Sequence, residues 1–399
     1  MYFRIQFGFC FSETNQLRFA FLIFKVFQYG GVQRDMLRIA NDLASNGHSV
    51  TIFTGEWRGD MPTHALIKHQ VLPTSGWLNH QRHRNLIKAM LAEVENGRLG
   101  VRFDCVVGFN RMANLNAYFA ADPCYAERAA QRAWWHKLTP RYRFFAECEK
   151  AVFGTKSNAH ILLLTQRDQA IFQQYYQTPD ARFHLIAPNI PSTQFANLNA
   201  AECAIYVRKT FQLPADANII LTVGSAYVRK GVDRAMLGLA SLPAHLRENT
   251  WLISVGELES ANTFLQDAEK LGVAKQCIAA GGRPDVAKLM LGADVLAHLA
   301  RSELAGIVLI EALVTQLPVI VTDVCGYASH VAQANAGIVL PEPFSQAVFN
   351  KTLLKILQQD NGAIKDNARA YVQLLKAKNT EKPEATILIE LATNKTMVT

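Results

Sequence analysis

The sequence predicts an α/β protein built from two doubly wound domains. Three observations carry this reading: a length of 399 residues, an alternation of β-rich runs with helical patterns along the whole chain, and a break at Pro188–Pro191 (PNIP) after which the alternation starts afresh. A chain this long exceeds what one hydrophobic core usually holds. Strands separated by helices imply right-handed βαβ crossovers and mainly parallel sheets.

In the first array Phe19–Lys25 reads as a strand, Gly31–Asn46 as a helix and Ser49–Gly55 as the next strand. Ala65–Pro73 and Phe103–Phe109 follow as strands, with a helical pattern over Arg84–Asn96 between them. His160–Thr165 is a strand, Gln166–Tyr176 a helix and Phe183–Ala187 the last strand before the break. The second array places strands at Ile219–Val223, Thr250–Ser254, Gln276–Ala280, Val295–Leu299 and Pro318–Thr322. Its helices include Lys230–Ala240, Ser260–Leu271, Asp285–Leu291, Ile307–Thr315 and Phe344–Gln359, and Ala363–Leu391 reads as a closing helix. The expected division is an extension at 1–16, domains at 17–190 and 191–365 hinged near 188–200, and a helix and tail at 366–399.

Composition narrows the function classes. Half the residues are apolar and 19% are charged, the balance of a globular protein. The net charge of +8 suggests a polyanionic partner, but the cations are dispersed, which argues against a nucleic-acid-binding tail. Seven widely spaced cysteines contain no C-x-x-C pair, so they read as thiols in a reducing cytoplasm. The apolar run Leu17–Phe27 is broken by Lys25 and runs into glycines, so it reads as a buried strand rather than a leader. No stretch reaches the roughly 18 uninterrupted apolar residues of a membrane span.

Three motifs carry chemistry. Gly30-Gly31 sits between the first strand and its helix, where small residues let a phosphate or sugar approach free N–H groups; a tight turn without a ligand explains the pair equally well. Val223-Gly224-Ser225 leads into Arg229-Lys230-Gly231-Val232-Asp233, a strand-to-helix turn whose two cations suit a diphosphate. Glu303-Leu304-Ala305-Gly306-Ile307-Val308-Leu309-Ile310-Glu311 brackets the start of an apolar helix with two carboxylates. The bare turn at Ala305-Gly306, with Ile307 and Val308 opening the helix, can present N–H groups to a diphosphate. Glu311 lies among apolar residues and needs hydrogen-bond donors, which a ribose diol supplies. Arg283, in Gly281-Gly282-Arg283-Pro284-Asp285, is a candidate neighbour of the base or phosphates.

Glu303-x7-Glu311 with the upstream Arg229-Lys230 resembles the retaining glycosyltransferases of family four. The likeness is closer still to the lipopolysaccharide core glucosyltransferases of Gram-negative bacteria. It rests further on Phe27–Asp35 (FQYGGVQRD), Val107–Met112 (VGFNRM), Tyr118–Asp122 (YFAAD) with Cys124–Glu127, Arg229–Arg234, and Val324–Ala328 (VCGYA), and spans about residues 17–375. The resemblance implies a GT-B fold, two Rossmann-like domains facing a central cleft. It implies that Glu311 holds the donor ribose, Glu303 faces the transferred sugar and Arg229 with Lys230 meets the diphosphate. Gly30, Gly31, Asp35 and Asp122 would line the cleft, with Asp122 on the acceptor side. The reaction it implies is metal-independent transfer of glucose from UDP-glucose to an inner-core heptose of lipopolysaccharide. Two positions depart from the family pattern: Gln316 stands where glycine is usual before Leu-Pro-Val, and Pro188-Asn189-Ile190 lacks the glycine usual after proline.

Ala126–Phe153 interleaves Arg128, Arg132, Lys137, Arg141, Arg143 and Lys150 with Trp134, Trp135, Tyr142, Phe144 and Phe145. This pattern suits an interfacial helix on an anionic membrane face, consistent with a cytoplasmic enzyme held peripherally at the inner membrane. A helix packed on the first sheet is the structural alternative. Other functions compatible with the sequence are a family-four enzyme with another sugar or acceptor, a nucleotide-sugar epimerase of similar shape, and a non-catalytic sugar-binding protein.

Overall fold

The computed structural model describes residues 16–27, 30–96, 102–190, 195, 197–257, 261–378 and 382–396. Most of the expected N-terminal extension, and part of the expected hinge, therefore lie outside the described residues.

The first sheet contains β1 (Arg18–Ile23), β2 (Ser49–Thr54), β3 (Ile67–Val71), β4 (Cys105–Gly108), β5 (Ala117–Ala120), β6 (His160–Leu163) and β7 (Phe183–Leu185). Its order is β3-β2-β1-β4-β5-β6-β7, with every pairing parallel. The crossovers carry α1 (Gly31–Ser45), α2 (Asn79–Asn96), α3 (Tyr125–Ala130), α4 (Pro140–Phe153) and α5 (Gln166–Tyr176). The central strands are apolar on both sides, because helices cover both faces.

The second domain opens with α6 (Ala200–Thr210), capped by Asn199, whose Oδ1 accepts from the N–H groups of Ala201 and Glu202. Its strands are β8 (Asn218–Val223), β9 (Thr250–Val255), β10 (Cys277–Gly281), β11 (Val295–His298), β12 (Val319–Thr322) and β13 (Gly337–Leu340). They are again all parallel, in the order β10-β9-β8-β11-β12-β13. The helices between and after them are α7 (Val232–Ala240), α8 (Ala244–Arg247), α9 (Ala261–Lys270), α10 (Val286–Gly292), α11 (Ile307–Val314), α12 (Ala328–Ala334), α13 (Gln346–Gln358), α14 (Gly362–Lys378) and α15 (Glu384–Thr396). In each sheet the strand order reverses beside one strand, β1 in the first and β8 in the second. Ligands of such sheets bind at these reversals, beyond the carboxyl ends of the strands. Gly30 follows β1 and Gly224 follows β8, so both predicted turns stand at a switch point.

The structure adds helices the sequence reading does not name, α6, α8 and α12, and departs from that reading elsewhere. β5 and β13, four residues each, are strands the sequence reading does not name. Ala126–Phe153 is not one helix: α3 ends at Ala130, a 3₁₀ turn covers Trp134–Leu138, and α4 restarts at Pro140. Thr139 caps α4 by accepting from Tyr142 N–H, and proline at the first helical position favours that restart. The closing segment is likewise two helices. α14 packs through Ala368, Tyr371 and Val372 on the second domain, whereas α15 packs through Ala385, Ile387, Leu388 and Ala392 on the first. Pro383 stands just before α15, where it interrupts a helix arriving from the N-terminal side.

Candidate functional site

The loop after β8 is shaped by two glycines. Gly224 has φ +144°, and a Cβ there would meet the Lys230 side chain at 3.1 Å. Gly231 caps α7 in the left-handed region, and a Cβ there would lie 2.0 Å from the Leu299 carbonyl. Neither position tolerates a larger residue without moving the loop. Arg301 fixes the loop from the other side: its guanidinium forks onto Asp233 at 2.8 and 2.6 Å, and its N–H donates to the Arg229 carbonyl at 2.8 Å. The loop after β8 and the loop after β11 are thereby held together.

Glu303 is where they converge. Lys230 Nζ donates to Glu303 Oε2, and Arg229 Nη1 lies 3.5 Å from the same oxygen and 3.2 Å from the Ser302 carbonyl. Burial pushes the Glu303 carboxyl upward, but Lys230 and Arg229 outweigh it and hold the group below the usual carboxylate range. His298, at the end of β11, places Nε2 3.9 Å from Glu303 Oε2. Burial pushes His298 down to about 3, so this imidazole is neutral at physiological pH.

Gly306 (φ +83°) caps α11 without a side chain, and the first turn of α11 opens beside Glu303. Ala305 and Val308 are buried and Ile307 half-buried, so only backbone N–H groups are offered there. The remainder of α11 is apolar nearly all round and enclosed, as expected of a helix inside a core. Full burial of Leu309, Ile310 and Leu313 contributes roughly 1.5–3 kcal/mol each. Glu311 is carried on that helix, 6% exposed, and its Oε1 accepts from Arg34 Nη1 at 2.9 Å. Arg34 belongs to α1, so the carboxylate expected to hold a ribose is met across the interdomain cleft by a cation of the first domain.

The facing wall is built from β1, β4 and β5. Gly30 lets the Gln33 side chain fold back, where a Cβ would lie 1.8 Å from Gln33 Oε1, and Gln33 Nε2 donates to the Lys25 carbonyl at 3.0 Å. A Cβ on Gly31 would meet nothing within 4 Å, so the space above it is open. Asp35 lines a small pocket between the domains, shared with Arg38, Asn189, Ala305, Ile307, Tyr327 and Glu384. Burial pushes its carboxyl up to about 6 against the pull of Arg38 and Arg34.

Asp122 is exposed on the loop after β5, and that loop is clamped from below. Arg111 donates to the carbonyls of Asp122 and Pro123 at 2.6 and 2.7 Å and pairs with Glu149 at 2.9 Å. Fully buried Glu149 in turn accepts from the N–H groups of Tyr125 and Ala126 and from the Tyr176 hydroxyl. Arg128, one helical turn further on, has its pKa lowered by burial and by Arg132 and Arg229, with Asp122 opposing. Arg128 thus lies within electrostatic reach of both Asp122 and Arg229.

Arg283 is placed elsewhere. Its guanidinium forks onto Asp285 at 2.8 and 2.7 Å and stacks over Phe211, and Tyr206 hydroxyl donates to the same carboxylate. The sequence reading includes Arg34 and Arg111 in family-like stretches but assigns no role to either, nor to Glu149, His298 or Arg301. His298 carries a local signal as a lone polar residue in the apolar run Val295–Ala300.

Two parallel sheets facing across a cleft, with cations and an open helix N-terminus on one wall, define a protein that handles a phosphorylated ligand between its domains. Residues 207–372 match the family described as glycosyl transferases group 1. The chain is 43% identical over 357 residues to the lipopolysaccharide glucosyltransferase WaaG of Escherichia coli (strain K12), covering 88% of this chain and 93% of that protein. It is 26% identical over 345 residues, 78% of this chain and 80% of the relative, to a D-inositol 3-phosphate glycosyltransferase of Jonesia denitrificans. A solved structure of WaaG, described as a glycosyltransferase involved in lipopolysaccharide biosynthesis, superposes with a TM-score of 0.84 at 38% identity over 96% of this chain and 99% of the other. The chain belongs to the lipopolysaccharide glucosyltransferase family, within the glycosyl transferases of group 1, and it has their GT-B fold.

Proposed function

We propose that this enzyme moves glucose from UDP-glucose onto an inner-core heptose of lipopolysaccharide, retaining the anomeric configuration and using no metal ion. The observation that carries the reading is the convergence of Arg229 and Lys230 on Glu303 beside the bare first turn of α11. On donor binding the two cations turn to the diphosphate and supply the charge stabilisation that its departure requires. N–H groups of α11 face the same oxygens, Glu311 accepts from the ribose hydroxyls and Glu303 faces the transferred sugar. The acceptor enters from the side of Gly31 and Asp122. Arg283 binds the donor only after leaving Asp285, and Asp35 reaches it through the pocket it shares with Ala305 and Ile307.

The same reading places the enzyme at the cytoplasmic face of the inner membrane. Trp134, Trp135 and Leu138 are exposed together on the 3₁₀ turn beside Arg132, Lys137 and Arg141, and no helix among the described residues is long and apolar enough to cross a membrane. The direct test is UDP release from a panel of nucleotide sugars, with and without heptose-terminated lipopolysaccharide and with and without EDTA. Acceptor-dependent release from UDP-glucose, unchanged by EDTA and abolished in Lys230→Ala and Glu311→Ala, is expected. Acceptor-independent release would favour an epimerase, and loss of activity in EDTA would overturn the metal-free reading.

A further inference from the structure

His298 is enclosed at the floor of the site with an unused hydrogen-bonding atom. It is 1% exposed at the end of β11, the strand next to the switch point of the second sheet. Its Nε2 has no hydrogen-bond partner, although buried ring nitrogens are normally satisfied. Glu303 Oε2 lies across the gap at 3.9 Å.

Resting on the site reading above, we propose that His298 is a positioning residue that receives Glu303 by an Nε2–H hydrogen bond when Lys230 turns to the donor diphosphate. In the unliganded site Glu303 is satisfied by Lys230, with Arg229 behind it. A diphosphate draws both cations, and one ammonium is a single point charge that cannot neutralise both partners equally. Glu303, only 16% exposed, would then lose its main partner with little solvent to replace it. Closing 3.9 Å to hydrogen-bond distance takes a shift of about 1 Å, within reach of a glutamate rotamer. Burial pushes the imidazole well down, with Lys230 and Arg229 adding to the fall, so it donates without bringing a charge. A neutral donor fixes the carboxylate and leaves its negative charge intact, where positive charge develops on the sugar during transfer.

The test compares His298→Leu with His298→Gln, whose amide nitrogen reaches as far as Nε2. UDP, which lacks the sugar, should bind the wild type and both variants within about twofold, because His298 acts through Glu303. The Leu variant should lose about tenfold or more in kcat, the scale of one hydrogen bond made in the transition state. Its KM for donor should stay within about threefold, and the Gln variant should recover most of the kcat. Should His298→Leu not fold, His298→Asn serves instead, since its shorter amide stops short of Glu303 and should show the same loss. Wild-type kcat in the Leu variant, equal impairment of Leu and Gln, or UDP affinity falling in step with kcat would each overturn the proposal. Lys230→Ala separates this from the site reading itself: unchanged UDP affinity there would overturn the diphosphate assignment whatever the His298 variants do.

Discussion

Arg34 of the first domain and Glu311 of the second form an ion pair at 2.9 Å across the cleft. The carboxylate is nearly enclosed and needs a partner; the arginine is half exposed and free to leave. On the proposed ribose-holding role of Glu311, donor binding and this ion pair compete for one carboxylate. Arg34→Gln should destabilise the unliganded enzyme by about 1–2 kcal/mol, less than a fully buried pair because Arg34 is wet. UDP affinity should rise several-fold, since no ion pair has to be broken. Thermal melts with a calorimetric UDP titration read both quantities. A fall in UDP affinity would instead place Arg34 on the donor.

Asp35 makes stability depend on pH in a stated direction. Its folded carboxyl is raised from 3.8 to about 6, chiefly by burial. An acid whose pKa is raised on folding penalises the folded state once ionised. The penalty therefore grows as pH rises above 3.8 and is complete above about 6. Asp35→Asn should stabilise the protein by on the order of 1–3 kcal/mol at pH 7.5, with the gain shrinking to about a third of that near pH 4.5. Urea denaturation at the two pH values is the measurement, and an equal gain at both would remove Asp35 ionisation as the cause.

Much of this architecture was legible locally, because strands and helices declare themselves over five to fifteen neighbouring residues. Gln166–Tyr176 matches α5 end to end, and Ile307–Thr315 overruns α11 by one residue. The Glu303-x7-Glu311 motif was readable because both carboxylates sit on one loop and its helix. The partners of those carboxylates were not. Arg34 and Glu311 are far apart in the sequence and meet only because two sheets face each other. Glu149 looks like one more acid on an amphipathic helix until Arg111 and the 125–126 backbone converge on it. The crossing of α15 to the first domain has the same character, since nothing in its apolar residues says which core they join.

Gln316 marks a local departure whose cost can be measured. It follows α11 in the left-handed region at φ +56°, where glycine carries no steric penalty. Its Oε1 accepts from Arg369 at 2.8 Å on the surface, a modest compensation. Gln316→Gly should stabilise the second domain by about 0.5–1 kcal/mol with activity unchanged. Destabilisation would mean the Arg369 contact outweighs the backbone strain.

The segment around 126–153 divides into two surfaces, and substitutions should separate them. Trp134 and Trp135 are 75% and 59% exposed on a turn whose neighbours Arg132, Lys137 and Arg141 are also exposed. Indole rings beside cations favour the headgroup layer of an anionic bilayer. Arg128, in contrast, lies within electrostatic reach of Asp122 and Arg229. Trp134→Ser with Trp135→Ser should weaken binding to anionic vesicles by about tenfold or more while leaving UDP affinity intact. Arg128→Gln should leave vesicle binding nearly unchanged and lower kcat/KM for the acceptor. The two readouts, vesicle co-sedimentation and acceptor-dependent UDP release, make the division testable, because a single continuous lipid-facing surface would require all three substitutions to weaken vesicle binding together.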